Sequence, residues 1–221
     1  MARHSLTIYC CCLFVLFVSM VCVSAPGYAE MYAAGHIGGA FPGNLNSDNS
    51  GDVELVNSLA YGLKFGNYLE ERDWSWLGFE FEAYNYTPHI KQQTLPGTTG
   101  SGPMSGQIAG KYLGVTTFAV HVLARLPYSH RFEPYAGIGI GGNWMRTSEG
   151  GFTPEAAFTP SFNFLAGVRS YVLNDSVGVF GEFKYNFVDV NFDSNPLGGS
   201  FQSMLFVAGA SYHFDPHEFM H

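Results

Sequence analysis

Beyond residue 22 the chain has no cysteine, because Cys10, Cys11, Cys12 and Cys22 are the only four. A disulfide framework is therefore excluded, and an exported chain without one must be stabilised in some other way. Charge is scarce as well, at 13% of residues, about half the usual share. The 10 Lys and Arg are scattered and outnumbered by 18 Asp and Glu. Phosphate recognition needs clustered cations, so nucleic acid is excluded as a partner. After residue 29 no apolar run approaches the roughly 18 residues of a membrane-spanning helix. What is abundant is hydrophobic surface (47%), aromatic rings (16%) and glycine (27 residues). That mixture suits a structure with one face in lipid better than a solvated globule or a disordered chain.

The N-terminus reads as a signal peptide spanning 1–29. Arg3 and His4 precede an apolar or small-residue run over 6–25, and Gly27-Tyr28-Ala29 places small residues where a signal peptidase reads them. An uncleaved anchor helix is the alternative. Ser19-Met20-Val21 before Cys22 lacks the Leu and small residue of a lipidation site.

The mature chain falls into segments of about ten residues with alternating hydrophobicity, the pattern of transmembrane strands. Eight are predicted: 31–41, 56–66, 76–86, 112–126, 135–144, 161–172, 177–188 and 201–214. The connections between them alternate long and short, beginning with a long one. The longest, 87–111, carries Pro-Gly and Ser-Gly breakers and no periodicity. With both termini in the periplasm this order gives four outer loops and three inner turns. The predicted fold is an all-β, eight-stranded antiparallel up-and-down transmembrane barrel over 30–214, followed by a tail at 215–221.

The charges within these strands share one face. Leu77, Phe79, Phe81 and Ala83 alternate with Gly78, Glu80 and Glu82, and Leu59, Tyr61, Leu63 and Phe65 alternate with Lys64. Arg125 and His121 oppose Phe118, Val120 and Val122. Arg169 opposes Phe164 and Val168, and Glu182 and Lys184 oppose Phe183, Tyr185 and Phe187. A Lys or Arg facing mid-membrane lipid costs roughly 2–4 kcal/mol, so Lys64, Glu80, Glu82, Arg125, Arg169, Glu182 and Lys184 are predicted inside. An eight-stranded lumen is just wide enough for side chains to fill, and charges survive there only when paired. Gly137, Gly139 and Gly141 would make room for them. The expectation is a closed polar core rather than a conduit. Tyr61, Tyr68, Trp74, Trp76, Tyr84, Tyr86, Trp144, Tyr185, Tyr212 and Phe214 lie near strand ends and are expected to form two interfacial girdles.

Chemistry-bearing patterns are few. His213, His217 and His221 are spaced as if on one helix face, but Pro216 interrupts such a helix and His213 should face the lumen, so no metal is expected. A barrel hydrolase needs a nucleophile, a His and an orienting third group. Ser129-His130 lies in an inner turn, and His89 with Ser101 or Ser105 has no carboxylate in register, so neither pair makes a catalytic site.

Four motifs carry a family resemblance: Phe132-Glu133-Pro134-Tyr135-Ala136-Gly137-Ile138-Gly139, Leu165-Ala166-Gly167-Val168-Arg169, Phe180-Gly181-Glu182-Phe183-Lys184-Tyr185, and Gly209-Ala210-Ser211-Tyr212-His213-Phe214. Together the chain resembles the OmpA/OmpX-type small barrels, within the porin-like outer membrane protein β-barrel group. The resemblance implies a monomer in the outer membrane, in contact with its lipid and lipopolysaccharide. It implies insertion by the barrel-assembly machinery, which would read Gly209, Tyr212 and Phe214 as a β-signal. It implies no cofactor and no catalysis, with a structural or surface-interaction role through the outer loops and an unknown extracellular ligand. The alternatives are a lipid A-modifying barrel enzyme and a narrow porin-like channel. Family members usually end at the terminal Phe, whereas this chain continues to His221.

Overall fold

A computed structural model describes residues 29–44, 46–47, 54–69, 74–91, 93–99, 102–108, 111–126, 132–147, 156–173, 176–190 and 199–214. Eight long strands dominate it: β1 (Ala29–Pro42), β2 (Ser58–Leu69), β3 (Leu77–Tyr86), β4 (Lys111–Arg125), β5 (Glu133–Thr147), β6 (Ala156–Leu173), β7 (Val177–Val190) and β8 (Gly199–Phe214). Each pairs antiparallel with its neighbours in sequence, and β8 returns to pair with β1 from Met31↔Phe214 to Pro42↔Ser203. The sheet is thereby closed, and every strand is hydrogen-bonded on both sides. One end of the barrel carries the connections after β2, β4 and β6 and is called the turn end. The other carries the connections after β1, β3, β5 and β7 and is called the loop end.

The side chains follow the pleat. Leu59, Leu63, Ile138, Ile140, Phe158 and Phe162 are each more than 60% exposed on the outer wall, while the alternate positions point inward and are buried. Arg146 lies at the loop-end rim of that wall, its guanidinium 4.6 Å from the Trp144 ring. Inward glycines receive large side chains from the directly opposite position on the preceding strand. A Cβ at Gly66 would come within 2.5 Å of the Tyr32 ring, and one at Gly78 within 2.6 Å of Tyr68. Gly167 likewise lies under Tyr135, and Gly139 under His121. Gly137 and Gly139 thus accommodate Leu123 and His121 from β4, and Gly141 abuts the β4 backbone. None of the three makes room for the lysines and arginines, which was the role expected for them.

Three further expectations are corrected. The connection 87–111 is not structureless. His89–Ile90 pairs with the start of β4, and Gln93–Thr99 pairs with Gly102–Ile108 as a separate two-stranded ribbon. A ribbon outside the barrel sheet needs no lipid-facing alternation, and among the described residues each of its strands pairs on one side only, a setting that tolerates proline. Strand β6 begins at Ala156 rather than 161 and contains Pro160. There it pairs only with β5, since pairing with β7 starts at Ser161↔Val188, so the missing N–H has an unpaired side to face. Finally, the girdle does not include Tyr68, Tyr84 or Tyr86. These are buried in the lumen, because each shares its strand's inward parity with Lys64 or with Glu80 and Glu82. Trp74, Trp76, Tyr61, Trp144 and Tyr212 are exposed on the wall or rim.

Candidate functional site

Among the described residues, ionisable groups from many strands gather in the lumen, where they form two clusters. In the middle, Lys64 on β2 donates to Glu80 Oε1 at 3.0 Å and to Glu182 Oε2 at 2.7 Å. Lys184 on β7 pairs with Glu182 at 3.0 Å and with Glu82. The phenols of Tyr32 and Tyr135 donate to Glu80 at 2.6 Å and Glu182 at 2.9 Å. Both lysines and all three carboxylates are buried. Such ions are tolerable away from water only when paired and hydrogen-bonded to this degree. His36 and His121 flank the cluster, 3.4 Å from Glu82 and 3.6 Å from Glu80.

Glu80, Glu82 and His121 are arranged so that one donor atom from each lies within 4.8 Å of the others. The Lys64 ammonium is 3.0 Å from Glu80 and 4.0 Å from Glu82. It already supplies positive charge at the spot a metal ion would need, so this group fits an internal cation better than a bound metal.

The second cluster sits at the turn end. Arg125 donates to Glu30 at 2.6 Å and to Glu133 at 3.2 Å, and Arg169 donates to Glu133 at 3.3 Å. The guanidiniums stack on tyrosines, Arg125 4.0 Å from Tyr68 and Arg169 4.6 Å from Tyr32, as a planar cation over a π face favours. His213 Nδ1 lies 2.6 Å from Glu30 Oε1, and its Nε2 lies 2.9 Å from Ser211 Oγ.

The seven charged residues singled out from the sequence are therefore divided. Lys64, Glu80, Glu82, Glu182 and Lys184 meet in the middle, and Arg125 and Arg169 meet near the turn end. Glu30 and Glu133 were missed because both lie just outside the predicted strand limits. The parity of Tyr32 and His36 for the first, and of Tyr135 for the second, was the signal that could have found them. Ser211 and His213 share one inward face of β8, but Glu30 lies at the start of β1 and only barrel closure brings it to them. Gly209 also faces inward, while Tyr212 is exposed and stacks on Phe214 at 6.3 Å.

Toward the loop end the filling changes character. Met145, Leu113, Val115, Val188 and Phe201 are buried together with Leu55 and Ile90 from the loops. Neutral hydrogen bonds span the space between them and the ions, including Tyr86 to Ser203 at 3.0 Å and Asn186 to Asn143 at 3.0 Å. Outside the barrel the loops are tied to one another. Val56 N–H donates to His89 C=O at 2.8 Å, Lys91 N–H donates to Glu54 C=O at 3.1 Å, and Asn46–Ser47 pairs with the start of β8.

No protein-family model matches the sequence, and no curated protein matches it. Solved structures do. Neisserial surface protein A is 14% identical with a TM-score of 0.59, over 86% of this chain and 100% of that one. A major outer membrane protein from Thermus thermophilus is 13% identical with a TM-score of 0.52, over 85% and 100%. The outer membrane protease OmpT from Escherichia coli is 10% identical with a TM-score of 0.50, over 86% and 99%. At such identities the likeness is one of fold, and the fold hosts a surface protein and a protease alike. Taken with the apolar outer wall and the closed sheet, it makes the chain an integral β-barrel protein of the bacterial outer membrane.

Proposed function

We propose that the barrel is a sealed, structurally filled anchor that presents its loop-end assembly at the cell surface as an interaction module. The turn end would face the periplasm and the loop end the exterior, with lipid and lipopolysaccharide against the outer wall. The charge network of Lys64, Glu80, Glu82, Arg125, Arg169, Glu182 and Lys184 would hold opposite walls together rather than conduct. The observation that carries this is the continuous burial of inward side chains from Tyr32 to Phe201, which argues against the narrow-channel alternative. Support for the surface role comes from the backbone ties between the first two loops and from the Gln93–Ile108 ribbon. Rigidly mounted loops are where such scaffolds carry recognition. Assembly would use Gly209, Tyr212 and Phe214 as the β-signal.

An epitope inserted between Thr99 and Gly102 tests the orientation: antibody should label intact cells without permeabilisation. Replacing 93–108 by a short Gly-Ser linker should leave a heat-modifiable barrel that no longer supports adhesion. Steady solute flux through the intact barrel in a planar bilayer would overturn the sealed reading.

A further inference from the structure

We propose that Ser211, His213 and Glu30 form a nucleophilic centre at the turn end that takes the acyl group of small esters. This goes beyond the loop-end reading and does not rest on it. The three side chains form an unbroken relay: Ser211 Oγ to His213 Nε2 at 2.9 Å, then His213 Nδ1 to Glu30 Oε1 at 2.6 Å. A carboxylate can only accept, so the Nδ1 of a neutral imidazole must carry the proton and Nε2 must be the acceptor. Ser211 then donates to Nε2, which is the arrangement a serine needs before it can attack a carbonyl.

The relay is held from several sides. Arg125 and the Tyr171 hydroxyl bind Glu30 at 2.6 and 3.3 Å. The imidazole is stacked on Tyr32 at 5.3 Å and meets the edge of Tyr171 at 5.1 Å. The Gly178 C=O, at 3.4 Å, is a longer alternative acceptor for the Ser211 hydroxyl, which lies closer to His213 Nε2 at 2.9 Å. Gly178 leaves open the space where Ser211 Oγ and the Arg169 methylenes converge. Arg169 Nε is a buried donor with no hydrogen-bond partner among the described residues. We assign this N–H to the oxyanion of the tetrahedral intermediate, as part of the same proposal. Glu30 remains partly exposed at the mouth, whereas Ser211 behind it is only 2% exposed, so an ester reaches it only by displacing side chains at the turn end, and the proposal is confined to small ones.

The reaction balances without a further reagent. Ser211 Oγ bonds to the carbonyl carbon while its proton passes to His213 Nε2. The carbon–alkoxide bond breaks, and His213 returns that proton to the leaving oxygen. Water then attacks the acyl-serine, giving its proton to His213 and releasing the acid, and Ser211 regains a proton. Ser211, His213 and Arg169 act on the reacting atoms, and Glu30 is a positioning residue.

The test treats the full chain, refolded in detergent and checked for heat-modifiable migration, with diisopropyl fluorophosphate. The expected result is one adduct, mapped to Ser211, that is absent from Ser211→Ala and slowed at least about a hundredfold in His213→Gln. Glu30→Gln should slow labelling by a similar order, because the imidazole loses its tautomeric anchor, and should alter its pH profile, which a purely structural role would not. If His213→Gln does not fold, Ser211→Ala carries the comparison, since it removes a single oxygen. A folded wild-type barrel that takes no adduct, takes it elsewhere, or is labelled equally well without His213 overturns the proposal.

Discussion

Near the loop end the lumen is filled by Met145, Leu113, Val115 and Phe201 from β4, β5 and β8; nearer its middle it is filled by Lys64, Glu82, Glu182 and Lys184 from β2, β3 and β7. Both fillings leave their side chains buried, yet they differ in what they demand. The apolar half needs only volume, and a poor fit there costs contacts in proportion to the gap. The ionic half needs every partner at once, because a lone charge left without its counter-ion keeps the full penalty of leaving water. The difference teaches that a narrow barrel can be sealed by either chemistry, but only the ionic one ties strands across the barrel into a mutually dependent set.

Substitutions should rank accordingly. Glu182→Ala would take from Lys64 and Lys184 the carboxylate they share, leaving Lys64 to Glu80 and Lys184 to Glu82, and about 3–5 kcal/mol of stability should be lost, read as a lower urea midpoint for unfolding from liposomes. Should the loss be below about 1 kcal/mol, the network is hydrated and the contrast between the halves fails. On the outer wall, Leu63→Arg should cost roughly 2–4 kcal/mol in the same assay if that position faces mid-membrane lipid. In the apolar half, Met145→Ala should cost about 2–3 kcal/mol and lower the midpoint without changing the denaturant slope. Least affected should be Lys91→Ala. The ion pair of Lys91 with Glu54 spans 2.7 Å but both side chains are more than half exposed, so about 0–1 kcal/mol is expected, fading with added salt. An order in which Met145→Ala exceeds Glu182→Ala would reverse the comparison.

Much of the architecture was legible because lipid enforces period-two alternation: strands β2, β3 and β7 were found from Leu59 to Phe65, Leu77 to Ala83 and Val179 to Phe187. Where lipid ends, the signal ends with it. The extra pairing of Ala156–Pro160 with β5 was hidden by Pro160, which reads as a strand breaker, and the ribbon at Gln93–Ile108 lies outside the barrel sheet, where backbone hydrogen bonding continues without a lipid-imposed pattern. The site was legible in part for a different reason. Parity tells which residues face inward, but not which strands a closed sheet will set opposite each other. Lys64 and Glu182 meet at 2.7 Å across 118 positions, and Glu30 meets His213 across 183. Pairings of that separation depend on the curvature and stagger of closure, which no local pattern encodes.

The glycines beneath Tyr32, Tyr68, His121 and Tyr135 have one further consequence. In each case the ring leans from one strand onto its successor in the chain, so these inward side chains are canted like the blades of a turbine, all in one sense around the axis. A bulky residue at one of these sites cannot change alone: the bare position it shelters must change with it. Descendants of this sequence should therefore drift there in coupled pairs, conserving the swirl of the interior while the individual letters turn over.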